Sequence, residues 1–128
     1  MAYKESVDCL NAINDLKNGR LKYILLGIDP TGSEVILKDT GNRQTADYLE
    51  FISKLRTSQP CYGIYAFNKT ESVNSTVLFM WLPDYGTVED KLKVVSNLAS
   101  LKNRFKVEKA FTATTVSDLR AFPLQTIF

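Results

Sequence analysis

The 128-residue chain contains no histidine. That removes the commonest general base near neutral pH, the commonest metal ligand and the usual partner of a Ser or Cys nucleophile. No Walker loop, GxGxxG fingerprint or Cys-x-x-Cys pair occurs either, so readings based on phosphate cradling or zinc find nothing to stand on. Cysteine is scarce: Cys9 and Cys61 have neither metal-site spacing nor the density of a secreted disulfide scaffold, which fits a reducing, cytoplasmic setting. The apolar runs are too short to span a membrane. No apolar leader precedes Asn68-Lys69-Thr70 or Asn74-Ser75-Thr76, so these formal glycosylation triplets read as coincidence. An excess of charge is missing as well, because sixteen basic residues face fourteen acidic ones and the net charge is only +2. Such a balance draws neither nucleic acid nor anionic membrane to the molecule as a whole, and an electrostatic partner has to be met by a local patch.

What is present describes one domain over residues 1–128. The chain is 45% hydrophobic and 23% charged, with no repeats, low-complexity stretch or linker. That length buries a sizeable core once, whereas dividing it would leave two marginal ones. Val7, Leu10, Ile13 and Leu16 recur at near-helical spacing until Asn18-Gly19 stops the helix. A hairpin follows, with an apolar run from Tyr23 to Ile28, a turn at Asp29-Pro30-Thr31-Gly32 and a strand from Glu34 to Lys38. Thr45 is the expected cap of a helix whose inner face is Tyr48, Phe51, Ile52 and Leu55. Two more strands are read from Cys61 to Asn68 and from Thr76 to Leu82, joined by a polar loop. A long helix then starts at the cap Thr87, carries Glu89 and Asp90 in its first turn, and is expected to bury Val88, Leu92, Val95, Leu98, Leu101 and Phe105. A strand over residues 106–113, a short helix near 117–120 and an apolar tail complete the chain. The order predicts an α/β (α+β) fold, in which helices flank both faces of a central five-stranded mixed sheet.

Candidate chemistry is thin. The adjacent carboxylates Glu89 and Asp90 are accounted for by the positive end of the helix they open, and the two cysteines read as small packed hydrophobes. The expectation is a binding module that is not an enzyme and needs neither cofactor nor metal.

Several segments carry a family resemblance. Ala12-Ile13-Asn14-Asp15-Leu16-Lys17, the run from Lys22 to Ile28 and Glu34-Val35-Ile36-Leu37-Lys38 resemble the opening of actin-depolymerising factor/cofilin homology domains. Gln59-Pro60-Cys61-Tyr62, then Phe79-Met80-Trp81-Leu82-Pro83-Asp84 leading into a helix with Val88 and Lys91-Leu92, is similar to the same domain in twinfilin, drebrin-like proteins and coactosin. The likeness covers nearly the whole chain in matching order. It implies the gelsolin-like fold of that family and a monomeric, cytoskeleton-associated protein that binds actin filaments or monomers and promotes filament depolymerisation and turnover. The long helix is implied to dock on actin through Thr87, Asp90, Lys91, Ser96, Asn97 and Lys102, and the N-terminal segment through Tyr3 and Lys4. Actin is an acidic protein, so Lys91 and Lys102 would pair with its carboxylates, in contacts that weaken with salt.

The departures from the family pattern define alternatives. Cofilins carry basic residues where Glu89 and Leu98 stand, and a basic cluster where this chain has Val73-Asn74-Ser75. The segment from Ser96 to Leu101 is closer to drebrin-like domains, which implies a side binder of filaments without severing. A binder of the branched-filament nucleating complex, in the manner of glia maturation factor, is the other reading. Ser6 is the nearest counterpart of the family's phosphorylated serine and is expected only to cap the first helix.

Overall fold

The computed structural model describes residues 4–5, 7–29, 34–68, 74–107 and 109–125. The strands are β1 (Lys4–Glu5), β2 (Leu21–Ile28), β3 (Glu34–Asn42), β4 (Cys61–Asn68), β5 (Asn74–Trp81) and β6 (Lys109–Ala113). The helices are α1 (Val7–Lys17), α2 (Tyr48–Arg56), α3 (Val88–Phe105) and α4 (Val116–Gln125). The strands lie in the order β1-β3-β2-β4-β5-β6. β2 pairs antiparallel with β3 and β4, β4 antiparallel with β5, and β5 parallel with β6, so α3 is the crossover that parallel pairing demands. The five expected strands are therefore present, and the two-residue β1 extends the sheet beyond β3.

Strand alternation divides the core in two. Ile24, Leu26, Tyr62, Ile64, Leu78 and Met80 point to α1 and α3. Tyr23, Leu25, Tyr65, Val77, Phe79 and Trp81 point to α2 and α4, where rings of Tyr48, Phe51, Tyr65, Phe67 and Phe79 pack edge to tilted face. Helices thus cover both faces, as the alternation of strand and helix signals requires.

Local chemistry sets the helix ends. Gly19 has φ of 80°, a left-handed value that a Cβ disfavours, and it turns the chain from α1 into β2. The cap of α2 is Asp47, whose carboxylate accepts from the Glu50 amide at 2.9 Å. Thr45, the expected cap, stays in the preceding turn with its amide on the Asn42 carbonyl. Both residue types serve as caps; docking of Tyr48 and Phe51 on the sheet fixes which one does. In α1 the buried face is Cys9, Ala12, Ile13 and Leu16, while Leu10 is turned to solvent. α4 is longer than expected and takes the start of the apolar tail into its last turns. The expected turn at 30–32, the polar loop at 69–73 and Ser6 lie outside the described residues.

The largest correction falls on α3. Its buried residues are Val94, Leu101 and Phe105, with Leu98 half-buried beside them. Val88, Leu92 and Val95, expected in the same inward stripe, are 73%, 59% and 47% exposed. At 3.6 residues per turn the two sets lie roughly 130° apart around the helix. The helix carries two apolar arcs, and only one of them meets the sheet.

Candidate functional site

The start of α3 is held by short-range hydrogen bonds and one close approach. Thr87 Oγ1 accepts from the Asp90 amide at 3.1 Å, and the Lys91 amide bonds the Thr87 carbonyl at 3.0 Å. Glu89 and Asp90 in the first turn favour the positive helix end. In the turn before it, the Tyr85 hydroxyl reaches the Ser58 carbonyl at 2.5 Å, and Trp81 Nε1 donates to the same oxygen at 3.2 Å. Gly86 passes so near Pro60 that an added Cβ would stand 2.6 Å from its ring. Sequence thereby ties the entry of α3 to the exit of α2.

Under the middle of the helix, the buried Tyr62 hydroxyl donates to the Val94 carbonyl. At the far end, Lys17 Nζ donates to the Phe105 carbonyl at 2.6 Å, so α1 caps α3, whose last residue passes to a left-handed Lys106 at φ of 55°. α3 is therefore pinned at its start, middle and end, and its outer side chains stand on a rigid support.

On that outer side Val88, Leu92 and Val95 follow one another at i, i+4 and i+7. Lys91 is half-buried on one border of this apolar strip, and the exposed Ser96 lies on its other side with Oγ donating to the Leu92 carbonyl at 2.6 Å. Asn97 is turned toward the opposite flank, its amide on the Lys93 carbonyl at 2.8 Å. Lys93 pairs with Glu89 at 3.7 Å on that flank. Asp90, with Lys93, Val94, Ile28, Ile36 and Lys38, lines a cleft of about 110 Å³ between α3 and the β2–β3 hairpin. Lys102 stands ten residues beyond Leu92, about 15 Å along the helix, and belongs to its basic last turn. Of the residues expected to act together, Thr87, Lys91 and Ser96 border one strip; Asp90 and Asn97 lie on its far flank and Lys102 lies at the other end.

Lys4 pairs with Glu34, at the same end of the sheet as the first half of α3, because Glu34 and Val35 immediately precede the cleft residue Ile36. Tyr3 lies outside the described residues. The strip itself was missed as a surface by periodicity, although Val88, Leu92 and Val95 were in plain view as apolar residues. The signal that separates them from the core is the second arc: Val94, Leu101 and Phe105 form a tighter set that excludes them.

Neither cysteine adds reactivity to this surface. Both are buried and outside any disulfide, and burial pushes the Cys61 thiol up to about 12, far from the thiolate that nucleophilic chemistry needs. No helix among the described residues is long and apolar enough to cross a membrane.

Residues 2–125 match the family model described as cofilin/tropomyosin-type actin-binding protein. A cofilin of Kluyveromyces lactis is 33% identical over 101 residues, which span 74% of this chain and 69% of the relative. Actin-depolymerizing factor 4 of Oryza sativa subsp. japonica is 32% identical over 106 residues, 79% of this chain and 73% of the relative. The crystal structure of Streptomyces griseoflavus cofilin superposes with a TM-score of 0.83 at 18% identity, covering 97% of this chain and 95% of that one, and so shares the fold.

Proposed function

The chain belongs to the cofilin/tropomyosin-type actin-binding family, and from that premise we propose that it binds actin and regulates filament dynamics by docking the first half of α3 into a groove of an actin subunit. The observation that carries this reading is the exposed strip of Val88, Leu92 and Val95 on a helix whose other apolar arc is already buried. Apolar side chains left in water at helical spacing stabilise a complex when a groove covers them, by about 1.5–3 kcal/mol for each one fully buried. Because α3 is pinned at three points, little backbone freedom is lost on docking.

Lys91 on the border supplies a charge that meets a carboxylate and fixes register, while Thr87 and Ser96 offer hydroxyls at the rim. Tyr3 and Lys4 of the N-terminal segment supply further contacts to actin. Asp90 and Asn97 act as supports on the inner flank, through the cap and the Lys93 carbonyl. The protein works by binding alone, as a single monomeric domain of the cytoplasm, without bond chemistry. Its two sequence relatives named above are a cofilin and an actin-depolymerizing factor, which favours actin itself as the partner.

The test is cosedimentation with actin filaments beside a titration of actin monomers, each with the wild type and with Leu92→Asp. The wild type is expected to bind and the variant to lose at least tenfold in affinity in both assays. Equal binding by the two proteins would place the docking surface elsewhere, and absence of wild-type binding at low salt would overturn the function.

A further inference from the structure

Six large apolar side chains are exposed among the described residues, and four of them, Tyr85, Val88, Leu92 and Val95, fall within eleven consecutive positions. Three of the four form the α3 strip. The fourth, Tyr85, stands in the turn before the helix, is 57% exposed and is the one aromatic ring of the six. Single exposed apolar residues are ordinary on a protein surface, whereas a contiguous set marks a place of contact. Tyr85 joins the strip by proximity: it precedes Val88 by three residues, and an extended chain covers at most about 11 Å in three steps.

The polar end of this side chain does not account for its exposure. A tyrosine at a surface ordinarily keeps its hydroxyl in water and its ring against the fold. Tyr85 is arranged the other way round: its hydroxyl donates within the chain, 2.5 Å from the Ser58 carbonyl oxygen and 3.0 Å from that of Arg56, while more than half of the residue stays in water. Three further contacts hold the turn that carries it. The buried Trp81 donates from Nε1 to the same Ser58 oxygen at 3.2 Å, the Gly86 amide bonds the Pro83 carbonyl at 3.0 Å, and Gly86 runs closely past Pro60. A ring on two torsions whose far end is tied loses little freedom when a partner covers it. Tyrosine is also among the residue types that most often dominate the energy of an interface.

We propose that Tyr85 is itself a docking residue: its hydroxyl locks the turn to the exit of α2, and its ring carries the surface of Val88, Leu92 and Val95 past the start of α3, onto the apolar wall of the same actin groove. This rests on the actin reading given above and adds to it an aromatic contact outside the helix. The partner is apolar at that point because the hydroxyl is already bonded and the ring offers no other donor. From Val88 to Val95 the strip covers about 10 Å of helix. With Tyr85 the contact continues beyond the helix start, so the groove that receives it has to continue as well.

The experiment is hydroxyl-radical footprinting read by mass spectrometry, which compares oxidation of Tyr85 and Leu92 in the free protein and in its complex with actin monomers. Oxidation of both side chains is expected to fall at least threefold in the complex. Tyr85→Ala and Tyr85→Phe are titrated with monomers beside it, and urea unfolding accompanies each. The alanine variant is expected to lose at least tenfold in affinity, while the phenylalanine variant, which keeps the ring, stays within about threefold of wild type. Protection of Leu92 with Tyr85 oxidised as in the free protein overturns this proposal and leaves the α3 reading standing. Equal losses by the two folded variants overturn it too, because binding would then depend on the hydroxyl and not on the ring. Should Tyr85→Ala fail to fold, the footprint on the wild type decides. A complex that forms with neither side chain protected overturns the α3 reading and this proposal with it.

Discussion

α2 and α3 look alike in the sequence and behave differently in the fold. Each opens on a polar cap with acidic residues in its first turn, ends on basic ones and shows apolar residues at three- and four-residue spacing. In α2 the expected face is the buried one: Phe51, Ile52 and Leu55 pack on β4 and the aromatic layer, with Tyr48 half-covered beside them. In α3 half of the expected face is left in water. The difference teaches that periodicity reports an apolar face without saying what covers it. A nine-residue helix has room for one arc, and the sheet takes it. An 18-residue helix crossing from β5 to β6 has room for two, and the sheet covers only one of them.

The widest separation between the helices is expected on core truncation. Phe51→Ala removes a fully buried ring with four aromatic neighbours and should cost about 3–5 kcal/mol of folding stability, read by urea unfolding. Leu92→Asp breaks the comparison from the other side. It should leave unfolding within about 0.5 kcal/mol of wild type, as surface changes do, yet weaken actin binding by about 2–4 kcal/mol if the strip is an interface centre. A comparable loss of stability in that variant would return Leu92 to the core and erase the distinction. Lys91→Ala with Lys102→Ala should lower actin affinity by about 1–3 kcal/mol. Measuring the two singly sharpens the picture, because Lys91 borders the strip whereas Lys102 stands about 15 Å beyond Leu92 along the helix; Lys91 is expected to account for the larger share of the loss. The smallest effect is expected from Tyr62→Phe. Losing the hydroxyl that donates to the Val94 carbonyl should cost about 1 kcal/mol of stability. Binding should weaken with it, since the helix that presents Leu92 and Val95 loses its middle anchor.

Much of the fold was legible because its signals are local. The cap at Thr87, the Gly19 stop, the continuous burial of β2 and the inner face of α2 each follow from a few neighbouring residues. The departures have non-local causes. Leu10 is apolar and so reads as inward in α1, whereas the smaller Cys9 and Ala12 are the side chains buried there. Thr45 and Asp47 are equivalent as cap formers, and docking of α2 decided between them. Among the site residues, Lys91 and Ser96 stand beside the strip, while Lys102 lies at the other end of the helix.

The sequence alone determined the succession of elements and the two-layered burial of the strands. Tertiary structure alone decided which arc of α3 faces water, and that Lys17 of α1 and Tyr62 of β4 hold its end and its middle. The physical reason is the same for both. A side chain's character is fixed by its own atoms, but its exposure and its neighbours depend on how elements distant in sequence pack, and each helix can satisfy only as much apolar surface as the sheet beneath it can cover.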